Sequence, residues 1–124
     1  MYEQIGGQKV IDQLVEDFYS IMRSHPEAEA VLATHAGRDM LGSREKLRSF
    51  LSGWLGGPQL YLEKFGHPRL RMRHFPFKIG EKEAAQWMFC MKEALKKSPI
   101  DLASQEKLLS ALGDVALMLK NQLE

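Results

Sequence analysis

Apolar residues recur at three- and four-residue steps in several long stretches of the chain, which is the spacing of amphipathic helices. The first stretch covers residues 8–24 and ends at His25, because the residue before a proline avoids helical torsion angles. A short helix over residues 26–34 follows, with Pro26 suited to its first position. The pattern therefore opens with one long helix and one short helix.

Three further helices are predicted from the same spacing. One covers residues 43–55, with Ser43 as its N-cap, and Gly56-Gly57-Pro58 ends it. Another covers residues 81–97, with acidic residues in its first turn and lysines in its last. The final helix begins at about residue 102 or 104 and runs to about residue 122. Sustained alternation typical of strands is missing, so the predicted fold class is all-α, as a single domain over residues 1–124.

Residues 59–80 interrupt this pattern, because their helical periodicity is weak and aromatic and cationic residues are dense. Long connections inside a compact domain usually serve a function, so we expect chemistry here. Arg69, Arg71 and Arg73 lie within five residues and directly precede His74. Their alternation with apolar residues is compatible with a short strand or a short helix.

Charge and composition narrow the function further. The chain has 17 Lys and Arg against 16 Asp and Glu, a net charge of +1, which argues against nucleic acid as the main partner. The local excess of cations near His74 instead favours a small anion. Mean hydropathy is −0.30, and without a long apolar run we predict no membrane span. The single cysteine, Cys90, and the lack of a visible secretory signal lead us to expect a cytoplasmic protein.

Cations beside a histidine, bracketed by Phe and Met side chains, suit a flat apolar cofactor that carries carboxylates and a metal. Haem has these properties, since an imidazole binds its iron and guanidinium groups pair with its propionates. Two simpler interpretations stay open, namely a packed histidine and a solvated arginine face. A phosphate site is weaker, because no glycine-rich loop follows a strand.

Several motifs carry a resemblance to one family. They are Ile5-Gly6-Gly7, Phe18-Tyr19, Trp54-Leu55-Gly56-Gly57-Pro58 with Tyr61, Gly66-His67-Pro68 followed by Leu70-Arg71 and Arg73-His74, and Trp87 with Cys90-Met91. With these motifs the chain resembles the group II truncated globins from Tyr2 to its last helix. The resemblance implies a two-over-two helical sandwich around haem b.

The resemblance also implies roles for individual residues. His74 corresponds to the axial ligand of the haem iron. Further haem contacts correspond to Ser43, Lys46, Tyr61 and Arg73, with Lys46 reaching a propionate. The residues around a bound ligand on the distal side correspond to Tyr19, His35, Leu47 and Trp87, with Ser43 also facing the ligand. At the corner assigned to His35, Leu32 and Ala36 are alternatives.

The implied function is the binding of O₂, CO, NO or peroxide at haem. Several hydrogen-bond donors on one ligand slow its release, which favours redox chemistry or sensing over bulk oxygen transport. The alternative is a peroxidase-like or NO-dioxygenase enzyme with a separate reductase, because this chain has no flavin or nicotinamide motif. A cofactor-free helical interaction module is the competing class, and it would lack a Soret band. We expect a monomer or a homodimer.

Overall fold

The chain is built from helices joined by short connections. The computed structural model describes residues 1–35, 40–74, 77 and 79–121. Its helices are α1 (Gly7–Ser24), α2 (Glu29–Ala33), α3 (Met40–Trp54), α4 (Leu60–Phe65), α5 (Leu70–His74), α6 (Glu81–Lys97) and α7 (Leu102–Leu119), with a 3₁₀ turn at Pro26–Ala28. The described residues contain no strand, which confirms the all-α prediction. None of the described helices combines the length and apolar character needed to cross a membrane.

The long helices form two packed pairs, α1 with α3 and α6 with α7, and α1 joins the pairs by packing along α6. The apolar stripe of α1 is fully buried in this contact. The largest contributions to the core come from Ile11, Val15, Phe18 and Met22 of α1, Leu51 of α3, and Cys90, Met91 and Leu95 of α6. Burial of these stripes supplies the hydrophobic free energy that holds the four helices together.

The ends of the long helices follow local signals. Helix α1 stops where His25 turns to an extended backbone ahead of Pro26, as predicted. Helix α7 begins at Leu102 because the Asp101 carboxylate accepts a hydrogen bond from the Ser104 amide at 3.1 Å. Helix α6 begins after Gly80, whose amide donates to the Glu83 carboxylate at 2.8 Å.

Two predicted boundaries were wrong. Ser43 is not an N-cap, because α3 already includes Met40 and accommodates the intervening glycine, so Ser43 lies inside the helix. Helix α7 ends at Leu119 rather than near residue 122. Lys120 takes an extended conformation there, and the Asn121 amide donates to the Ile79 carbonyl at 2.7 Å instead of continuing the helix.

Residues 59–80 are not one long connection, because α4 and α5 lie within them, and α5 is the short helix that the sequence left open for the arginine-rich segment. Helices of five or six residues are unstable alone, so tertiary contacts must hold them. On α4, the buried Tyr61 packs edge-on against Phe50, with ring centroids 6.5 Å apart. From α5, Arg73 Nη2 donates to the carbonyls of Phe65 and His67 at 3.1 and 3.2 Å. The arginine-rich segment is therefore a short helix, tied back to the end of α4.

The N-terminal turn packs against the end of α3. The Tyr2 amide donates to the Leu55 carbonyl at 2.9 Å, and the Tyr2 hydroxyl donates to Gln8 Oε1 at 3.2 Å. The Tyr2 ring lies directly over Gly57, where a Cβ atom would overlap it. Gly57 thus permits the close approach between the N-terminus and the end of α3.

Candidate cofactor and ligand site

A cavity of about 660 Å³ lies between the two helix pairs, a volume in the range of small-molecule and cofactor sites. Apolar side chains form most of its wall, including Phe50, Leu70, Leu112 and Val115. All nine residues singled out in the sequence line this cavity. They are Tyr19, His35, Ser43, Lys46, Leu47, Tyr61, Arg73, His74 and Trp87.

His74 is the last residue of α5, and it shares the cavity-facing side of that helix with Leu70, one turn earlier. Its Nδ1 atom lies 2.7 Å from the Leu70 carbonyl oxygen. A carbonyl oxygen can only accept, so Nδ1 carries the proton and donates. The neutral ring then keeps a lone pair on Nε2, which is the arrangement of a histidine that binds a metal.

Polar contacts fix the chain after His74. The Phe77 amide donates to the His74 carbonyl at 3.0 Å. Asn121 Nδ2 donates to the Phe77 carbonyl at 2.8 Å, and Asn121 Oδ1 accepts from the Ile79 amide at 2.9 Å. These bonds connect the end of α5 to the end of α7. Phe75 and Pro76, which directly follow His74 in the sequence, lie outside the described residues.

Two cations lie at one side of the cavity. The Arg73 guanidinium stacks over the Tyr61 ring, 5.5 Å from its centroid, and Lys46 Nζ lies 5.8 Å from the centroid of the Phe65 ring. In the part of the chain that the structure describes, neither cation is paired with a carboxylate. Their charge is therefore available to the carboxylates of a cofactor.

Tyr19 and Trp87 lie on either side of Phe18, each with its ring centroid 5.0 Å from that of Phe18. Burial raises the pKa of Tyr19 far above its ordinary value, and the nearby Arg44 charge opposes this only in part. The hydroxyl therefore stays protonated and can donate. Among residues 1–35, 40–74, 77 and 79–121, neither this hydroxyl nor the Trp87 indole N–H has a protein hydrogen-bond partner. Both donors are free for a ligand.

His35 contacts Tyr19 edge-on, with ring centroids 5.8 Å apart. Its Nδ1 atom lies 3.1 Å from the Val31 carbonyl, so Nδ1 donates and Nε2 keeps its lone pair. Burial lowers the pKa of His35, and His74 adds to this effect, while the bond to Val31 opposes both. Of the alternatives at this corner, Leu32 packs on the core instead, and Ala36 lies outside the described residues.

Ser43 and Leu47 lie four residues apart on α3, so the same side of that helix turns both toward the cavity. The cavity also includes residues that the sequence did not indicate, chiefly Val31, Glu83 and Ala84. For Glu83 and Ala84 the signal was the spacing of α6, because Glu83 and Trp87 are one helical turn apart; Val31 lies on α2 instead. Glu83 stood out in the sequence merely as a favourable charge near the helix N-terminus.

The residues around the cavity fit haem. Two histidines, His74 and His35, present a free Nε2 atom, two cations without a carboxylate partner among the described residues lie at the cavity, and apolar side chains supply walls for a porphyrin. On a different wall, Tyr19, Trp87 and His35 offer polar atoms to a small ligand. Fold and cavity together define an all-helical haem protein.

Comparison with known proteins identifies the family. The model of the family described as "Bacterial-like globin" matches residues 1–121, and the chain belongs to that family. It is 37% identical over 123 residues to the Group 2 truncated hemoglobin YjbI of Bacillus subtilis (strain 168), covering 99% of this chain and 89% of the relative. Group II truncated globin is thus the class, haem b its cofactor, and oxygen binding at haem its activity.

Solved structures agree with this assignment. The cold-adapted truncated hemoglobin of the Antarctic marine bacterium Pseudoalteromonas haloplanktis TAC125 superposes with a TM-score of 0.92 at 36% identity, covering 98% of this chain and 97% of that one. The truncated oxygen-avid haemoglobin from Bacillus subtilis superposes with a TM-score of 0.83 at 37% identity, covering 97% and 98%. The two-over-two globin fold predicted from the sequence is confirmed.

Proposed function

We propose that the protein retains O₂ or a related small ligand for redox chemistry or sensing, rather than releasing it readily for transport. In this proposal His74 holds the iron of haem b, while Tyr19, Trp87 and His35 hydrogen-bond the ligand. The observation that carries it is the pair of donors, on Tyr19 and Trp87, that line the cavity without a described protein partner.

Energetics link these donors to ligand retention. Both donors face a largely apolar cavity without a described protein partner, so each gains by bonding a ligand that enters it. A hydrogen bond of about 1 kcal/mol that must break on release slows dissociation about fivefold, and two such bonds multiply. The relative from B. subtilis, 37% identical to this chain, is described as oxygen-avid, which supports the same direction.

The remaining cavity residues position the cofactor. Lys46 and Arg73 lie beside the apolar cavity wall and offer charge to the two propionates. Tyr61 supports the Arg73 guanidinium by stacking under it. Ser43 and Leu47 border the distal space from α3, where Leu47 excludes water and Ser43 provides a small polar group.

The test is the O₂ dissociation rate of the haem-loaded ferrous protein, measured by stopped flow. Tyr19→Phe and Trp87→Phe each remove one donor while keeping most of the ring volume. We expect each variant to release O₂ about five times faster or more. Tyr2→Phe and Trp54→Phe are the matched controls, because neither of these residues lines the cavity, and their rates should stay at the wild-type value.

The proposal fails if both cavity variants release O₂ within twofold of the wild-type rate. In that case Tyr19 and Trp87 are packing residues, and easy release would return transport to consideration. Faster release in one variant alone would leave that residue as the donor that retains the ligand.

A second candidate, a peroxidase-like or NO-dioxygenase activity supplied with electrons by a separate reductase, is favoured by one observation. Arg71, in the helix that carries His74, and Arg69, directly before it, are exposed and form no ion pair within the described part of the chain. Consumption of NO or peroxide by the haem-loaded protein, with and without an electron donor, distinguishes this enzyme from a sensor.

A further inference from the structure

We infer that Arg69, Arg71 and Met72 form a docking surface for an acidic electron-transfer protein that reduces the haem. We call these three residues the α5 outer face. The inference rests on the proposed redox function and names its partner. It starts from the two opposite sides of the same short helix.

Helix α5 separates the cavity from solvent. Leu70 and His74 line the cavity, and at 100° per residue Met72 falls on the opposite side of the helix. Met72 is 59% exposed, and Arg69 and Arg71 are both exposed as well. A helix with its side chains is about 10–12 Å across, so a protein seated on the α5 outer face lies one helix diameter from His74.

Charge is distributed very unevenly along the chain. Residues 64–80 hold five of the 17 Lys and Arg and none of the 16 Asp and Glu, so the rest of the chain is net acidic. Some cations elsewhere are paired, as Arg44 is with Glu16 at 3.4 Å and Lys96 with Glu93 at 2.9 Å. Within the described ranges, Arg69 and Arg71 form no ion pair.

The backbone at Arg69 adds an independent observation. Its φ of +42° lies in the left-handed region, which costs a residue with a Cβ atom about 1 kcal/mol or more. The Arg69 amide donates to His67 Nδ1 at 3.1 Å, which holds this conformation. Glycine or asparagine would adopt it with less strain, so local structure does not account for an arginine here. Its exposed guanidinium points to a role at the surface.

An exposed apolar side chain beside unpaired cations suits a small, transient interface with a partner of opposite charge. Such encounters bury little area and depend on electrostatic attraction for their association rate. The electron balance is simple. A reduced flavoprotein passes one electron to the ferric haem, which becomes ferrous, while the flavin hydroquinone becomes the semiquinone and releases a proton to solvent. In this proposal the electron donor is a separate flavoprotein.

The experiment measures how fast flavodoxin hydroquinone, an acidic single-domain flavoprotein, reduces the ferric haem-loaded protein in stopped flow. The test variant combines Arg69→Glu and Arg71→Glu. Its matched control combines Lys92→Glu and Lys107→Glu, which change the net charge equally at exposed positions on α6 and α7. At about 20 mM salt we expect the test variant to react at least tenfold more slowly, and the control within twofold of wild type. The difference should shrink strongly at about 500 mM salt.

A second readout does not depend on electron transfer. Amide NMR shifts of the CO-loaded protein, titrated with oxidised flavodoxin, should change around residues 69–73 and lose their salt-sensitive response in the test variant. Equal reduction rates in the test and control variants, or shifts confined to another surface, would overturn the inference. Tighter binding to phosphatidylglycerol vesicles or to an oligonucleotide than to flavodoxin would overturn it too, by assigning the face to another partner.

The two proposals can fail separately. The docking test reads the reduction rate and leaves the distal donors untouched, so the O₂ dissociation rate of the Arg69 and Arg71 variant should equal that of wild type. If flavodoxin does not dock but the cavity donors slow O₂ release as expected, only the docking inference is contradicted. If flavodoxin docks but the wild-type protein releases O₂ fast, only the retention proposal is contradicted.

Discussion

The Nδ1 atom of His74 lies 2.7 Å from the carbonyl oxygen of Leu70, one turn earlier in the same helix. Leu70 is the first residue of α5 and His74 its last, so this bond links the two ends of the helix, and it selects the tautomer with a free Nε2. Backbone rather than a carboxylate thus orients the imidazole. A neutral orienting group leaves the basicity of Nε2 lower than a carboxylate partner would, which would set how strongly His74 binds iron in its proposed role.

His35 has the chemistry to coordinate iron from the distal side when no other ligand is bound. Its Nε2 atom keeps a lone pair, and His35 lines the same cavity as His74. We expect ferric protein to contain a low-spin, six-coordinate fraction that electron paramagnetic resonance detects. Burial lowers the pKa of His35 from 6.5, so the ring is neutral at neutral pH and the low-spin fraction should persist there. The fraction should decline only at a pH below the lowered pKa, because the protonated ring has no lone pair.

The matched variant is His35→Leu, which keeps an apolar side chain of similar size without a nitrogen ligand. The low-spin signal should disappear in it at every pH. A signal that survives the substitution, or that is absent from wild type between about pH 5 and pH 9, limits His35 to hydrogen bonding.

Gly57 is expected to be intolerant of a side chain. In Gly57→Ala the new methyl group overlaps the Tyr2 ring, so the N-terminal turn must shift, at a cost of about 1–3 kcal/mol in the free energy of unfolding. Urea unfolding of the haem-loaded protein measures this. Adding Tyr2→Ala removes the overlap, so the double variant should lose less than the sum of the single changes.

Gly113→Ala is the control for that substitution. Gly113 lies inside α7, and the nearest heavy atom to a Cβ there is Met88 Cε at 3.8 Å, an ordinary contact. Alanine is the better helix former, so this variant should be at least as stable as wild type. Equal losses at Gly57 and Gly113 would show that the Tyr2 contact does not matter.

Glu45 joins α3 to α4 through hydrogen bonds to Lys64 and Arg48, and these lower its pKa to about 2 from 4.5. The ionised carboxylate therefore stabilises the fold above pH 4.5, and that contribution is lost as the pH falls toward 2. Since the pair is partly exposed, we expect Glu45→Gln to cost about 1 kcal/mol or less at pH 7.

The difference in unfolding free energy between wild type and Glu45→Gln should stay constant from about pH 7 to pH 5 and narrow at lower pH. Acid release of haem affects both proteins alike, so it cancels in the difference. Glu106→Gln, at an exposed position on α7, should show no such trend. A difference in unfolding free energy that grows as the pH falls would contradict the stabilisation by the ionised Glu45 carboxylate.

The sequence predicted the candidate site better than it predicted the local structure around it. His74, Arg73 and the aromatic residues near them are close along the chain, so their chemistry was visible without a fold. The helices α4 and α5 were not visible, because they depend on contacts such as the one from Arg73 to the Phe65 carbonyl. Short helices gain too little from their own hydrogen bonds for periodicity to show them.

Contacts between distant positions were equally invisible. Asn121 fixes the chain after His74 across more than forty residues, and nothing in its own neighbourhood of sequence indicates this. Ser43 was misread for the opposite reason. Serine is a common N-cap, and the local signal outweighed the ability of a helix to include the glycine before it. Long helices with a buried stripe, such as α1, were predicted almost to the residue.

The most direct measurement is the absorption spectrum of His74→Gly in its ferric, ferrous and CO-bound forms, with His67→Gly as the matched control. His67 is exposed and lies outside the cavity. We expect His74→Gly to bind haem weakly and without an imidazole ligand, and added imidazole to restore the wild-type spectrum by filling the vacated position. His67→Gly should retain the wild-type Soret band and haem affinity. An unchanged ferrous-CO spectrum and haem affinity in His74→Gly would contradict the assignment of this cavity as a haem site held by His74.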